Sequence, residues 1–136
     1  MRRASTAALA VTLAVAGCGG GGQGDKEKIE ATIKDYFAAF ADTDPAKACD
    51  QLVASAQDAL ANAAGAKDCR AALTKALQAP AIKRYAPQLR DVKILSVKIT
   101  GDEATAKVRA IGAATDVPLR KENGDWKIAA KGIAGR

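Results

Sequence analysis

Histidine is missing from all 136 residues, and with it the commonest general base and the commonest metal ligand. That absence disfavours a zinc enzyme and a Ser-His-Asp hydrolase. Aromatic residues make up only 4%, so a core must be built from Ala, Leu, Ile and Val. Long apolar runs are missing too. The stretch from Ala7 to Ala16 covers about ten residues, half of the roughly 20 that a membrane-crossing helix needs. The length admits one domain of ordinary size and no multidomain machine. What remains is the mix of a globular protein, 49% hydrophobic and 26% charged, with a formal net charge of +6.

Residues 1–17 read as an address. Arg2 and Arg3 form a basic start, and the apolar stretch that follows has the length of a signal-peptide core. Its end, Val15-Ala16-Gly17-Cys18, resembles the lipobox of bacterial lipoproteins. The resemblance implies that the Cys18 thiol is diacylated and that the chain is cleaved before it, exposing an amine open to further acylation. An ordinary cleaved signal leaving a free cysteine is the alternative. Two or three acyl chains, at about 0.8 kcal/mol per buried methylene, anchor a protein stably without any membrane-spanning helix. Residues 18–24, rich in glycine, then form a tether. The expected location is the extracytoplasmic face of the bacterial cell membrane, or the outer membrane in a host that has one.

Cleavage removes two arginines and leaves a charge of about +4, scattered along the chain. Lys26, Lys28 and Lys34 alternate with Glu27, Glu30 and Asp35, which pairs charges along a helix instead of laying a phosphate track. With five aromatics available for stacking, nucleic acid is not an expected partner.

Two cysteines remain besides Cys18. Cys49 and Cys69 are an even pair in an exported chain, where disulfides persist. A bridge between them would pin two successive helices, worth roughly 3 kcal/mol in the chain-entropy model. Free thiols and a redox pair are the alternatives. The spacing is not that of a redox Cys-x-x-Cys motif, and two thiols without histidine make a poor metal site. No metal and no cofactor is expected.

Apolar periodicity divides the rest into a helical half and a strand half. Asp25 is placed to cap a helix running to about Ala41, with Ile29, Ile33, Phe37 and Phe40 along one face and Tyr36 beside them. Asp44 and Pro45 are a strong start signal for a second helix carrying Ala48, Cys49, Leu52 and Val53. Ser55 is placed to cap a further piece that ends at Gly65, and Asp68 caps a helix carrying Ala72, Leu73, Ala76 and Leu77. Pro80 and Pro87 bracket a loose turn around Ile82 and Tyr85. After Asp91 the period becomes two. A parity switch between Ile94 and Leu95 points to a bulge or bend, and Thr100-Gly101-Asp102 marks a hairpin. Ala104, Ala106, Val108 and Ala110 face one side. Pro118 limits its strand to an edge or a strand start. Glu122-Asn123-Gly124-Asp125 is a tight turn before Trp126, Ile128 and Ala130. Helices followed by an antiparallel meander make an α+β fold, a single domain over 25–134.

The helix ending Tyr36-Phe37-Ala38-Ala39-Phe40, the Cys49 and Cys69 helices, and the close from Val117-Pro118-Leu119 to Asn123-Gly124-Asp125-Trp126-Lys127-Ile128 together resemble the NTF2-like superfamily. More narrowly they resemble its small secreted or lipid-anchored actinobacterial members. The resemblance covers about residues 26–131. It implies N-terminal helices packed on a bent antiparallel meander, forming a cone with an apolar pocket that Tyr36, Phe40 and Trp126 are placed to line.

Enzymes of that superfamily work with a pocket tyrosine and a carboxylate of raised pKa. Tyr36 is the one residue placed like such a tyrosine. Asp102, Glu103, Glu122 and Asp125 fall in turns, and Asp116, at a strand start, is the one marginal partner. No catalytic residue is therefore assigned. The leading expectation is a noncatalytic module whose outer sheet face binds an envelope protein or a second copy. A carrier or sensor of a small apolar ligand or lipid comes next, using space that alanines 104, 106, 110, 113 and 114 leave. An isomerase or dehydratase comes third.

Overall fold

A computed structural model describes residues 23–129. The expected signal peptide, the lipobox-like residues Val15, Ala16 and Gly17, the expected lipidation site Cys18, most of the expected tether and Ala130 lie outside them.

The described residues run through five helices, a 3-10 helix and four strands. In order these are α1 (Gln23–Ala41), α2 (Pro45–Asp50), α3 (Ala54–Ala64), α4 (Cys69–Leu77), α5 (Pro80–Tyr85), the 3-10 helix Ala86–Asp91, β1 (Lys93–Thr100), β2 (Glu103–Arg109), β3 (Thr115–Glu122) and β4 (Asp125–Ile128). The strands form one antiparallel sheet in the order β1-β2-β3-β4. This is the expected α+β architecture. Ile29 and Ile33 of α1 are fully buried against the inward row Ala104, Ala106, Leu119 and Ile128. Side chains of this size are worth about 1.5–3 kcal/mol each when fully buried.

Several local signals act as their chemistry requires. The Asp44 carboxylate accepts the Lys47 backbone N–H at 3.1 Å, with Pro45 opening α2. Asp68 accepts the N–H of Ala71 at 2.8 Å at the start of α4. Gly65 ends α3 in the left-handed conformation. The β1–β2 register shifts between Ile94 and Ser96, leaving Leu95 as the bulged residue. Asn123 and Gly124 both have positive φ, 54° and 82°, as a tight hairpin turn demands.

Four expectations need correction. Helix α1 begins at Gln23, so Asp25 lies inside the first turn, and its carboxylate crosses to the indole N–H of Trp126. Ser55 does not cap α3. That helix starts at Ala54, whose N–H is bound at 3.2 Å by the Glu122 carboxylate from the end of β3. The segment between the prolines is helical, because Pro80 opens α5 and Pro87 sits in the first turn of the 3-10 helix, positions where a missing N–H costs nothing. Pro118 sits inside β3, between β2 and β4. Its carbonyl accepts from the Ala129 N–H at 2.8 Å. The carbonyl and the absent N–H of a strand residue share one side, so the missing donor faces the region where β4 has already ended.

The edge of β4 is closed by the chain between α2 and α3. Ile128 donates to the Gln51 carbonyl at 2.7 Å, and Val53 donates to the Ile128 carbonyl at 2.9 Å. Gln57 holds that connection by donating to the carbonyls of Cys49 and Leu52. Cys49 and Cys69 form a disulfide, with Cα atoms 6.1 Å apart, that joins α2 to the first residue of α4. Helix α4 leads directly into α5, so the bridge steadies the wall on which the candidate site is built.

Candidate functional site

Most large apolar side chains are inside, and three of the four exposed ones cluster; the fourth, Leu95, is the bulged residue of β1. Ile82, Tyr85 and Ile111 are 37, 46 and 42% exposed, and all three border one groove. Its floor comes from α1, where Tyr36, Phe37 and Phe40 continue the buried stripe of Ile29 and Ile33 past the end of the closed core. The Tyr36 ring meets Phe37 edge-on at 5.5 Å and Phe40 tilted at 5.0 Å. One wall is α5 with the 3-10 helix, contributing Ile82, Tyr85 and Leu89. The other is the loop after β2, which carries Ile111. Arg90 of the 3-10 helix pairs with Asp42 just past α1 and ties the wall to the floor.

The space divides into two chambers. The first, about 370 Å³, lies between α1 and the α5 wall. The second, about 300 Å³, lies between α1 and the sheet, lined by Val108, Ala110, Ala113, Thr115, Val117 and Ile128. Tyr36, Phe37 and Ile111 line both. Each volume reaches the lower end of the range for ligand sites, about 300 Å³.

Of the three expected pocket residues, Tyr36 and Phe40 are brought together here. Trp126 is not. It is 2% exposed and packs in the core. The Asp25 carboxylate accepts its indole N–H at 3.0 Å, and the Thr32 hydroxyl donates to its backbone carbonyl at 3.0 Å. Lys121 lies 5.4 Å over its ring and 3.3 Å from Asp25. The indole hydrogen bond, opposed by partial burial and helped by Lys121, holds the Asp25 carboxyl below its ordinary value. Among the alanines expected to leave space, Ala110 and Ala113 border the second chamber, whereas Ala104 and Ala106 are core.

The groove's chemistry is narrow. Among the described residues, the side chains lining its two chambers include no carboxylate, ammonium or guanidinium. Their polar atoms are the hydroxyls of Tyr36, Tyr85 and Thr115. Burial pushes the Tyr36 phenol up to about 12, so near neutrality it is a protonated hydrogen-bond donor and not a base. Asp116, the marginal carboxylate, pairs with Lys107 at 3.9 Å on β2. Its cross-strand partner is also Lys107, which puts both on the outer sheet face.

That outer face is polar. Lys98, Thr105 and Pro118 align in one row, and Thr100, Glu103, Arg120 and Lys127 in the next. All of these but Lys127, together with Ser55, border a depression of about 580 Å³. Among the described residues no cluster of three potential metal ligands occurs, and no helix is long and apolar enough to cross a membrane.

Sequence reasoning missed Leu89 and Ile111 as site residues and saw Ile82 and Tyr85 only as turn residues. A six-residue helix, a 3-10 turn and a loop give no sustained period. The usable signal was large apolar residues in segments too short to bury them.

The model of a family described as "Putative lumazine-binding" matches residues 24–133. No curated protein and no solved structure matches the chain.

Proposed function

Since the chain belongs to this lumazine-binding family and has its NTF2-like type of fold, we propose that it is a noncatalytic binding domain that holds a small apolar molecule in the groove over Tyr36, Phe37 and Phe40. The observation that carries the reading is the coincidence of exposed apolar side chains with a two-chambered groove that has no charged group among its described lining residues. A noncatalytic role is supported by the chemistry of the lining, where Tyr36 has no carboxylate beside it.

Lumazine itself is a flat bicycle with N–H and C=O groups around its rim. Three dispersed hydroxyls offer those groups few partners, and each unpaired group would lose its hydration on entry. The family's ligand-binding character therefore transfers to this chain more readily than the ligand in its description. Envelope-protein binding through the outer sheet face is the weaker reading, because that face presents mostly Lys, Arg, Thr and Glu around the single apolar ring of Pro118.

We further propose that the domain is exported and anchored through acylated Cys18, on the support of the basic start, short apolar core and lipobox-like ending. In the native host, Cys18→Ser then moves the protein from the membrane pellet to the soluble fraction. Retention of the variant in the pellet contradicts the anchor.

The groove is tested by titrating the protein with the neutral fluorescent probe N-phenyl-1-naphthylamine. The expected result is saturable one-site binding that Ile82→Asp weakens at least about tenfold, since the variant places an unpaired charge at the rim. No saturable binding, or equal binding by a folded Ile82→Asp protein, overturns the reading.

A further inference from the structure

Resting on that reading of the groove, we propose that its ligand is a neutral single-chain amphiphile, whose hydrocarbon passes over Tyr36 and Phe37 from one chamber into the other while hydroxyls alone hold its polar group. Ile111 sets which shapes can make the passage.

The lining chemistry defines the charge. Among the described residues, neither chamber offers a cation for a carboxylate head or an anion for an amine. A buried ion without a partner is strongly disfavoured, whereas a neutral ester or alcohol needs only a hydrogen bond. The shape of the cavity defines the form. The chambers lie on different sides of α1, one toward α5 and one toward β2 and β3, and share only Tyr36, Phe37 and Ile111. A rigid plate occupies one of them; a flexible chain bends through both.

Position defines the roles of two residues. Tyr36 lines both chambers. Its hydroxyl is therefore available to a ligand carbonyl or hydroxyl at the junction. Ile111 sits on the connection between β2 and β3, 42% exposed, and borders both chambers. It is a cover over the junction and not a core residue, so enlarging it narrows the passage without opening a cavity elsewhere.

The test is displacement of bound N-phenyl-1-naphthylamine by monolaurin, by laurate and by lumazine at neutral pH. Monolaurin is expected to displace the probe at least about tenfold more effectively than laurate, its charged counterpart, and lumazine is expected to compete poorly. Ile111→Trp is expected to weaken monolaurin about tenfold while the compact probe still binds. Tyr36→Phe is expected to weaken monolaurin by about three- to tenfold and leave the probe unchanged. Thermal melts confirm that both variants are folded. If the probe itself does not bind, the groove reading falls and this proposal with it. If the probe binds but monolaurin does not compete, the amphiphile proposal alone is overturned. The same holds if laurate matches monolaurin, if lumazine outcompetes it, or if Ile111→Trp has no effect.

Discussion

Asp25 accepts the indole N–H of Trp126 at 3.0 Å, joining the first turn of α1 to the last strand across 101 positions of sequence. With the Thr32 hydroxyl on the Trp126 carbonyl, it fixes β4 to α1 at two heights. The long helix is thereby registered against the sheet, and the open end of the cone, where Tyr36 and Phe40 lie, is held at a set separation from β2 and β3.

This contact predicts an acid-dependent loss of stability. The Asp25 carboxyl is held below its ordinary value of 3.8 by the indole hydrogen bond and by Lys121. A group lowered on folding stabilises fully above its unfolded value and loses that contribution as the pH falls through the folded one. Asp25→Asn is therefore expected to melt below wild type at neutral pH, and the gap is expected to close as the pH drops past 3.8. Paired thermal melts across that range check it. A gap independent of pH would show that the charge of Asp25 does not matter.

The disulfide predicts a larger, pH-independent effect. Cys49 and Cys69 close a loop with a sequence separation of 20, worth roughly 3 kcal/mol. Cys49→Ser with Cys69→Ser is expected to lower Tm by on the order of ten degrees or more, given about 4–8 °C per kcal/mol for a domain near this size. Reductant should lower the wild-type Tm similarly and leave the double variant unmoved.

Thr43 predicts a gain. It follows α1 with φ of 55°, a conformation that crowds a β-branched side chain. Thr43→Gly relieves the crowding at some cost in unfolded-chain entropy, for a net stabilisation of about 1 kcal/mol. Calorimetry should register a Tm rise of several degrees, with probe binding unchanged because Thr43 lines neither chamber.

The elements legible in the sequence were those whose signal is local. Asp44-Pro45, Gly65, Asp68 and the Asn123-Gly124 turn each carry their own backbone chemistry, and the inward row Ala104, Ala106, Val108 follows from a period of two. What was hidden depends on partners far away in sequence. Asp25 looks like a cap until the helix starts two residues earlier and frees its carboxylate for Trp126. Glu122 looks like a turn residue until the start of α3 arrives beside it. Trp126 looks like a pocket aromatic until both its polar groups are taken by α1. The groove was half legible: Tyr36 and Phe40 extend a visible stripe, but Ile82, Leu89 and Ile111 come from three short segments with no shared period. Only the fold brings them to one opening.

Whether this opening holds a ligand is decided by the native mass spectrum of the Cys18→Ser protein exported by its own host. The expected species is a protein carrying one neutral apolar molecule, released on activation in the gas phase and absent from the Ile82→Asp variant. Bare protein, or a dimer that buries Ile82, Tyr85 and Ile111 between two copies, would contradict it.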